Sequence, residues 1–325
     1  MLKFLTSIVF VFVFGNGIAQ RISPADSAYF KSAGDTLKEQ SAITMDSENY
    51  IERFKADSLF TKVLVRAMVK PYSFYYNFSE VNTTSFLYAP DSSFRIITWH
   101  LSLDDARFRQ RGVIQMNTPD GAIKIFPLFD VSDFTENPLD SVRTPRNWIG
   151  AIYYKMLLNK HNNKKYYTLL GYDENNLRST KKWMEVLWFN DRQEPIFGGS
   201  IYLPADSLNP KPRLLYRYNI EYKKGTTAKF NYDEDDKIIV QDNLMSESND
   251  VSKKFTYVPS GYYEGFEWKN GQWVNIPQLY TQNLGEDNAP TPHKIIGKSG
   301  FIEEEEEAVK PNATKDKKKP KKKSK

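Results

Sequence analysis

The apolar side chains of this chain change their spacing once, and that change decides what it can fold into. Between Ser23 and Val69, residues such as Tyr50, Ile51, Phe54, Leu59, Val63 and Met68 recur at intervals near three and four, a helical period. Pro24 stands near a helix start, and Lys70-Pro71 marks a stop. From about Thr84 onward the period is two. Leu214, Tyr216, Tyr218, Ile220 and Tyr222 alternate with Leu215, Arg217, Asn219 and Glu221, which reads as one strand with an apolar and a largely polar face.

Further strands are expected at Phe94 to Trp99, Ile123 to Phe126, Ile149 to Leu158, Tyr166 to Gly171 and Trp183 to Phe189. Between them lie the residues that tight turns demand: Pro119-Asp120-Gly121, Asn162-Asn163, Lys224-Gly225 and Asn270-Gly271. Glu267 to Trp273 is the clearest hairpin. Short strands joined by hairpins predict a mainly β (α+β) protein, an antiparallel β-meander in a curled sheet or sandwich, after an N-terminal helical region. A β-propeller is the alternative. Ala89-Pro90-Asp91-Ser92-Ser93-Phe94-Arg95-Ile96 is similar to the turn that opens propeller blades in TolB-like proteins, although only a weaker echo, at Pro119-Asp120-Gly121, repeats it.

Composition agrees with strands. Fourteen per cent of the residues are aromatic, with 20 Tyr and 21 Phe, and rings suit a pleated, half-buried surface. The absence of cysteine excludes disulfides, thiol catalysis, thiolate metal sites and a lipid-bearing N-terminal cysteine. The net charge of +5 is unevenly spread. Residues 308–325 carry nine Lys and one Asp, while residues 20–307 carry 35 basic and 39 acidic side chains. A mildly acidic body argues against nucleic acid as a partner, because phosphate contacts need a clustered basic face.

The termini have their own signatures. Lys3, the apolar run Phe4 to Phe14 and the small residues of Gly17-Ile18-Ala19 form a signal peptide over residues 1–19, too short in its apolar part to span a bilayer. The mature chain is expected to begin at Gln20, to be exported to the periplasm or outside, and to lack a transmembrane segment after signal removal. Residues 20–71 then form the helical region and 72–287 the antiparallel β domain. Residues 288–325 form a charged tail, with Pro290, Pro292, Pro311, the block Glu303 to Glu307 and the lysines of Lys315 to Lys325. Such blocks repel themselves, so the tail is expected to be disordered. Outside the cytoplasm, the Lys315–Lys325 run suits anionic envelope polymers.

Catalytic signatures are sparse. Of the three histidines, His100 alone falls at a strand end near carboxylates, Asp104 and Asp105, and no Gly-x-Ser-x-Gly elbow accompanies it. Phosphate loops, dinucleotide fingerprints and His-Glu-x-x-His are missing, so neither cofactor nor metal is expected. Asp233-Glu234-Asp235-Asp236 lacks the ordered Gly and distal Glu of a calcium loop and reads as a solvated turn. Paired carboxylates, Asp130 with Asp133 or Asp104 with Asp105, are what a glycosidase would use. Among six tryptophans, Trp268 and Trp273 flank a tight turn and are the nominees for stacking on a glycan.

Asp followed by Ser or Thr and then an aliphatic residue or Ala occurs around Ser27, Thr36, Ser58, Ser141 and Ser207. These triplets resemble the O-glycan acceptor signal of exported proteins in one large group of Gram-negative bacteria; helix capping by Asp-Ser pairs is the competing reading for the first three. Ile18-Ala19-Gln20, the Phe94 to Trp99 strand, Lys165-Tyr166-Tyr167-Thr168-Leu169-Leu170-Gly171-Tyr172-Asp173 and Gly265-Phe266-Glu267-Trp268-Lys269-Asn270-Gly271-Gln272-Trp273 together resemble a family of uncharacterised exported bacterial proteins. That resemblance implies a location and no activity. The sequence therefore predicts an envelope-associated, non-catalytic binding protein with a glycan or protein ligand, the alternative being a carboxylate-dependent hydrolase such as a glycosidase.

Overall fold

The computed structural model describes residues 22–104, 106–205 and 210–279, and the backbone of a two-stranded pair, Ile295–Ile296 with Ile302–Glu303. The protein is mainly β, with 44% strand and 22% helix. Two helices come first, α1 (Pro24–Asp46) and α2 (Tyr50–Val69). Ser23 caps α1 by accepting from the Asp26 amide at 3.0 Å, and Asn49 caps α2 by accepting from the Ile51 amide at 2.9 Å. No helix among the described residues is long and apolar enough to cross a membrane.

Three open sheets follow. The first holds β1 (Ser85–Tyr88), β2 (Phe94–Ser102), β3 (Phe108–Met116) and β4 (Ile125–Phe129), in that order. The middle sheet is built from β5 (Ile152–His161), β6 (Lys164–Asp173), β7 (Ser179–Phe189) and β11 (Arg217–Lys223), ordered β11-β7-β6-β5, with β8 (Pro195–Phe197) paired to β7. The third is ordered β10-β9-β15-β14-β13-β12. It comprises β9 (Ile201–Leu203), β10 (Arg213–Leu215), β12 (Phe230–Asp233), β13 (Ile238–Ser246), β14 (Tyr257–Lys269) and β15 (Gln272–Leu279). All pairings between these strands are antiparallel except the short β15–β9 contact. Three sheets of different size and order, rather than four or more repeated blades, rule out the propeller alternative for the described residues.

These elements stack as four layers. Phe30, Leu37, Phe60 and Leu64 of the helical hairpin pack on Ile97, Trp99 and Val113 of the first sheet. The opposite face of that sheet, with Phe94, Ile96 and Ile114, meets Tyr153, Tyr167, Leu169 and Leu187 of the middle sheet. Leu170, Met184 and Val186 point the other way, onto Ile239, Phe266 and Trp273 of the third sheet. The first and middle sheets are therefore covered on both faces. This is why eight consecutive residues of β2, Phe94 to Leu101, are buried, charged Arg95 included.

Buried polar groups pin the layers. Asp57 on α2 accepts from the Trp99 indole at 3.2 Å and pairs with Arg111 at 2.6 Å. Arg95, wholly buried, donates to Gln115 Oε1, the Tyr76 and Ser73 carbonyls and the Tyr88 hydroxyl. Between the first and middle sheets, Glu185 accepts from Arg217 at 2.7 Å and from the Tyr153 hydroxyl at 2.6 Å, and Tyr153 accepts from the Trp148 indole. Removing either partner of the Arg217–Glu185 pair would strand a buried charge, which is costly.

Two expectations need correction. The segment Leu214 to Tyr222 is not one strand: it breaks at Tyr216, with β10 in the third sheet and β11 in the middle one, and Arg217 enters the core instead of facing solvent. On α2, the buried face is Ala56, Phe60, Leu64, Ala67 and Met68, leaving Tyr50, Ile51, Phe54 and Leu59 exposed. The outer edge of the first sheet has its own device. The Met116 amide bonds the Lys124 carbonyl, and that register turns the backbone groups of residues 125, 127 and 129 away from β3. Pro127 sits in the middle of that outward row, and beyond it Trp148 takes the Phe129 carbonyl at 3.1 Å.

Candidate functional site

The space between the first and middle sheets ends differently on its two sides. At one end, the β6–β7 connection folds against the β2–β3 ends and closes them with polar contacts. Gln110 donates its backbone amide to Asp130 at 3.0 Å and its side-chain amide to Asp173 at 2.7 Å. Asp130 also accepts from the Ser132 amide and hydroxyl and from the Gly150 amide. Gly150 is required there, since a Cβ would lie 2.6 Å from the Asp130 carboxylate. Burial pushes the Asp173 carboxyl up to about 6, with the Asn175 amide and Lys181 opposing and Asp130 adding to the rise.

His100 faces this same end, 6% exposed, and its ring meets Phe108 edge-on at 6.0 Å. Burial lowers its basicity, nearby Glu174 raises it and Lys224 lowers it further. Glu174 accepts from Tyr172 at 2.7 Å and forms an ion pair with Lys224. His100 and two acids are thus gathered here, but the acids are Asp173 and Glu174. Asp104 is engaged elsewhere: it closes the β2–β3 turn by accepting from the Ala106 and Arg107 amides and from the Arg107 side chain at 2.7 Å. Asp105 lies outside the described residues. Asp133 is exposed, while the oxygens of Asp130 are spent on Gln110, Ser132 and Gly150.

The opposite end is open. A cleft of about 380 Å³ runs between Ser93 and Met116 of the first sheet and the two ends of the middle one, Asn163 to Tyr167 and Trp188 to Gln193. Its floor is tied by Asp91, which accepts from Lys165 at 2.7 Å, Tyr167 at 2.9 Å and the Ser93 hydroxyl and amide at 2.6 and 3.2 Å. Burial alone would raise the Asp91 carboxyl, but those four donors outweigh it and hold the group at about 2. Tyr167 is pushed up to about 12 by burial and by the Asp91 charge. Asn163, Lys164, Gln193 and half-buried Trp188 line the rest of the cleft, with Asp191 exposed at the rim. Trp188 shares a strand face with Met184 and Val186 and donates its indole to the Gly198 carbonyl at 3.1 Å, while the Asn190 side chain is taken by Glu194 and the Arg192 amide. Turn chemistry places the amides, since Asn163 and Gln193 both have positive φ, 61° and 58°.

The nominated tryptophans lie beside this cleft, on the far face of the middle sheet. Trp268 and Trp273 are directly paired across the β14–β15 hairpin, with rings 5.5 Å apart and edge-on. Trp273 is wholly buried and donates to the Thr168 hydroxyl at 2.8 Å, so it belongs to the core. Trp268 packs on Tyr166 at 5.6 Å. The turn between them is the expected Asn270-Gly271 pair, φ 50° and 83°, and a Cβ on Gly271 would strike His161, 2.5 Å away.

The Asp-Ser/Thr triplets are dispersed. Ser27 and Thr36 lie on α1, where Thr36 bonds back to the Ser32 carbonyl, and Ser58 is exposed on α2. The carbonyl of Ser141 accepts from Arg217; Ser207, residues 1–19 and Lys315–Lys325 lie outside the described residues. Asp233 to Asp236 form the β12–β13 turn, with Asp233 accepting from the Asp235 and Asp236 amides. Among the described residues no group of acids and histidines is placed to hold a metal ion.

No family model, curated protein or solved structure matches the chain. The cleft residues Ser93, Lys165, Tyr167 and Trp188, and Asp91 that ties three of them, were not nominated from the sequence. The signal available was Pro90-Asp91-Ser92-Ser93, a turn whose acid is followed two residues later by a hydroxyl, but it carried meaning only as a fold motif until β6 supplied Lys165 and Tyr167.

Proposed function

We propose that the protein is an exported, envelope-associated binding protein whose open cleft takes a glycan without cleaving it. One observation carries this reading: aromatic residues, the amides of Asn163 and Gln193 and a lysine line an open cleft beside Asp91, a carboxylate saturated by four donors. Sugar recognition uses such a mixture of a ring and convergent polar groups. An acid held ionised and fully bonded is poorly suited to proton transfer, which needs a group that titrates near working pH. The leader at residues 1–19 and the resemblance to exported proteins support the location, and the Lys315–Lys325 run suits retention on anionic envelope polymers. The intact mass of the natively exported chain tests the O-glycan reading of the triplets.

Titration of the purified chain with envelope-derived oligosaccharides, followed by tryptophan emission, tests the binding. Saturable binding lost in Trp188→Ala is expected. Binding to no oligosaccharide, or equal binding by the variant, sinks the reading, and specific recovery of a protein from envelope extract would put a protein ligand in its place. The hydrolase alternative is favoured by one feature, the raised carboxyl of Asp173 beside His100 and Asp130. Hydrolytic activity abolished by Asp173→Asn with folding intact would establish it.

A further inference from the structure

The outermost layer presents a helix face that the fold leaves uncovered. On α2, Ile51, Phe54, Val65 and Val69 are 47%, 43%, 39% and 55% exposed, although the opposite face of the same helix is built into the core. At 3.6 residues per turn these four side chains fall in one stripe along the outer surface, interrupted only by Ser58. Lys55, Lys62 and Arg66, at spacings of seven and four, form a parallel row along one side of that stripe, and Leu59 extends the apolar surface beyond it. All three cations are exposed, and none has an ion-pair partner among the described residues. The one exposed acid of α2, Glu52, is at the helix start and accepts from the Ser47 hydroxyl at 2.8 Å. The neighbouring helix α1 adds charges of both signs on its own outer side, Lys31, Asp35, Lys38 and Glu39.

An apolar stripe beside a row of unpaired cations fits a surface that is apolar beneath and anionic above. We infer that the outer face of α2 docks the protein on a bilayer of anionic phospholipid, lying in the plane of the headgroups with Phe54 and Val65 pointing inward. Charge argues against a second copy as the occupant. A two-fold antiparallel pair of α2 helices would set each basic row against its own mate, and a parallel pair would set it against the flank of Tyr50 and Thr61, which carries no acid. The docking is peripheral, since the residues involved are side chains on one face of a helix whose other face stays packed on the first sheet. It would also leave the open cleft unobstructed, because that cleft lies at the end of the first two sheets and not on the helical layer.

The test must separate α2 from the Lys-rich tail, which would also draw the chain to anionic vesicles. A Phe54→Trp variant of the full chain, read as the difference from wild-type emission with its six tryptophans, reports on α2, since the added indole changes that difference when its face enters the bilayer. Phosphatidylcholine vesicles with and without phosphatidylglycerol are the probes, with brominated lipid as quencher. A blue shift and quenching with the anionic vesicles alone are expected. Adding Lys62→Glu and Arg66→Glu to that variant should weaken the anionic-vesicle response by about tenfold. Circular dichroism verifies that the exposed substitutions leave the fold intact. The inference is overturned if the introduced indole shows no blue shift with either vesicle, if the charge reversals leave the shift unchanged, or if the shift follows protein concentration without lipid, which would make the face a self-association surface.

Discussion

The two ends of the space between the first and middle sheets use the same residue types for opposite purposes. At the closed end Gln110 bridges Asp130 and Asp173, Glu174 is taken by Tyr172 and Lys224, and His100 is buried against Phe108, so polar chemistry serves as a plug. At the open end, Asp91, Ser93, Lys165 and Tyr167 also bond one another, but beside them the cleft is lined by the amides of Asn163 and Gln193 and by half-buried Trp188. The lesson is that a cluster of titratable groups marks a binding site only when something next to it is left unsatisfied. The closed end has the raised carboxyl, and the open end has the room.

The sharpest way to break this contrast is to remove one acid from the plug. Asp130→Ala leaves the Gln110, Ser132 and Gly150 donors without an acceptor, and urea denaturation should show a loss of about 4 kcal/mol. A loss under about 1 kcal/mol would mean that the closed end is not a structural plug.

Acidity separates the ends by sign. Asp173 is near 6 when folded and 3.8 in its ordinary state, so the folded protein holds that proton more firmly. Lowering pH from about 6 toward 3.8 therefore adds stability at the closed end, and raising pH through the same window removes it. Asp91, held at about 2, does the reverse: its contribution is full above 3.8 and is lost as pH falls from there toward 2. The stability of the wild type relative to Asp173→Asn should thus fall by no more than about 3 kcal/mol between about pH 4 and 6.5. A difference that stays flat would place Asp173 outside the plug.

At the open end the expected effects are on binding. Trp188→Ala should weaken oligosaccharide binding about tenfold with a far smaller change in urea midpoint. A collapse in stability instead would make Trp188 a core residue and the cleft incidental. Smallest of all is Asp104→Asn, which touches only the exposed Arg107 pair and its turn, and should leave the thermal midpoint unchanged within error.

Much of the architecture was legible because turns and single-faced strands leave local marks. Asn162-Asn163 and Asn270-Gly271 adopt the positive φ that their residue types favour, and their hairpins and the β3–β4 one fall where they were expected, whereas Lys224-Gly225 carries the chain from the middle sheet to the third instead of closing a hairpin. β3 and β13 left weaker marks. In β3, Gln110 and Gln115 are as buried as Val113 and Ile114, so a strand enclosed by two layers shows no clean alternation. On α2 the helix was evident but its inward face was not, because apolar residues run around most of the helix. The cleft was illegible for a different reason: Asp91 and Lys165 are 74 positions apart, and only the stacking of two sheets makes them neighbours.

Pro127 bears on a hazard that any open sheet carries. The outward row of β4 is flanked by exposed Phe129, and an incoming strand from another chain would find there a ready apolar template. A proline at the centre of that three-residue row deletes its middle donor, and Trp148 has already taken the carbonyl at its far end. What remains is too short to hold a foreign strand, so a chain rich in Phe and Tyr gains resistance to edge-to-edge aggregation from a single missing N–H.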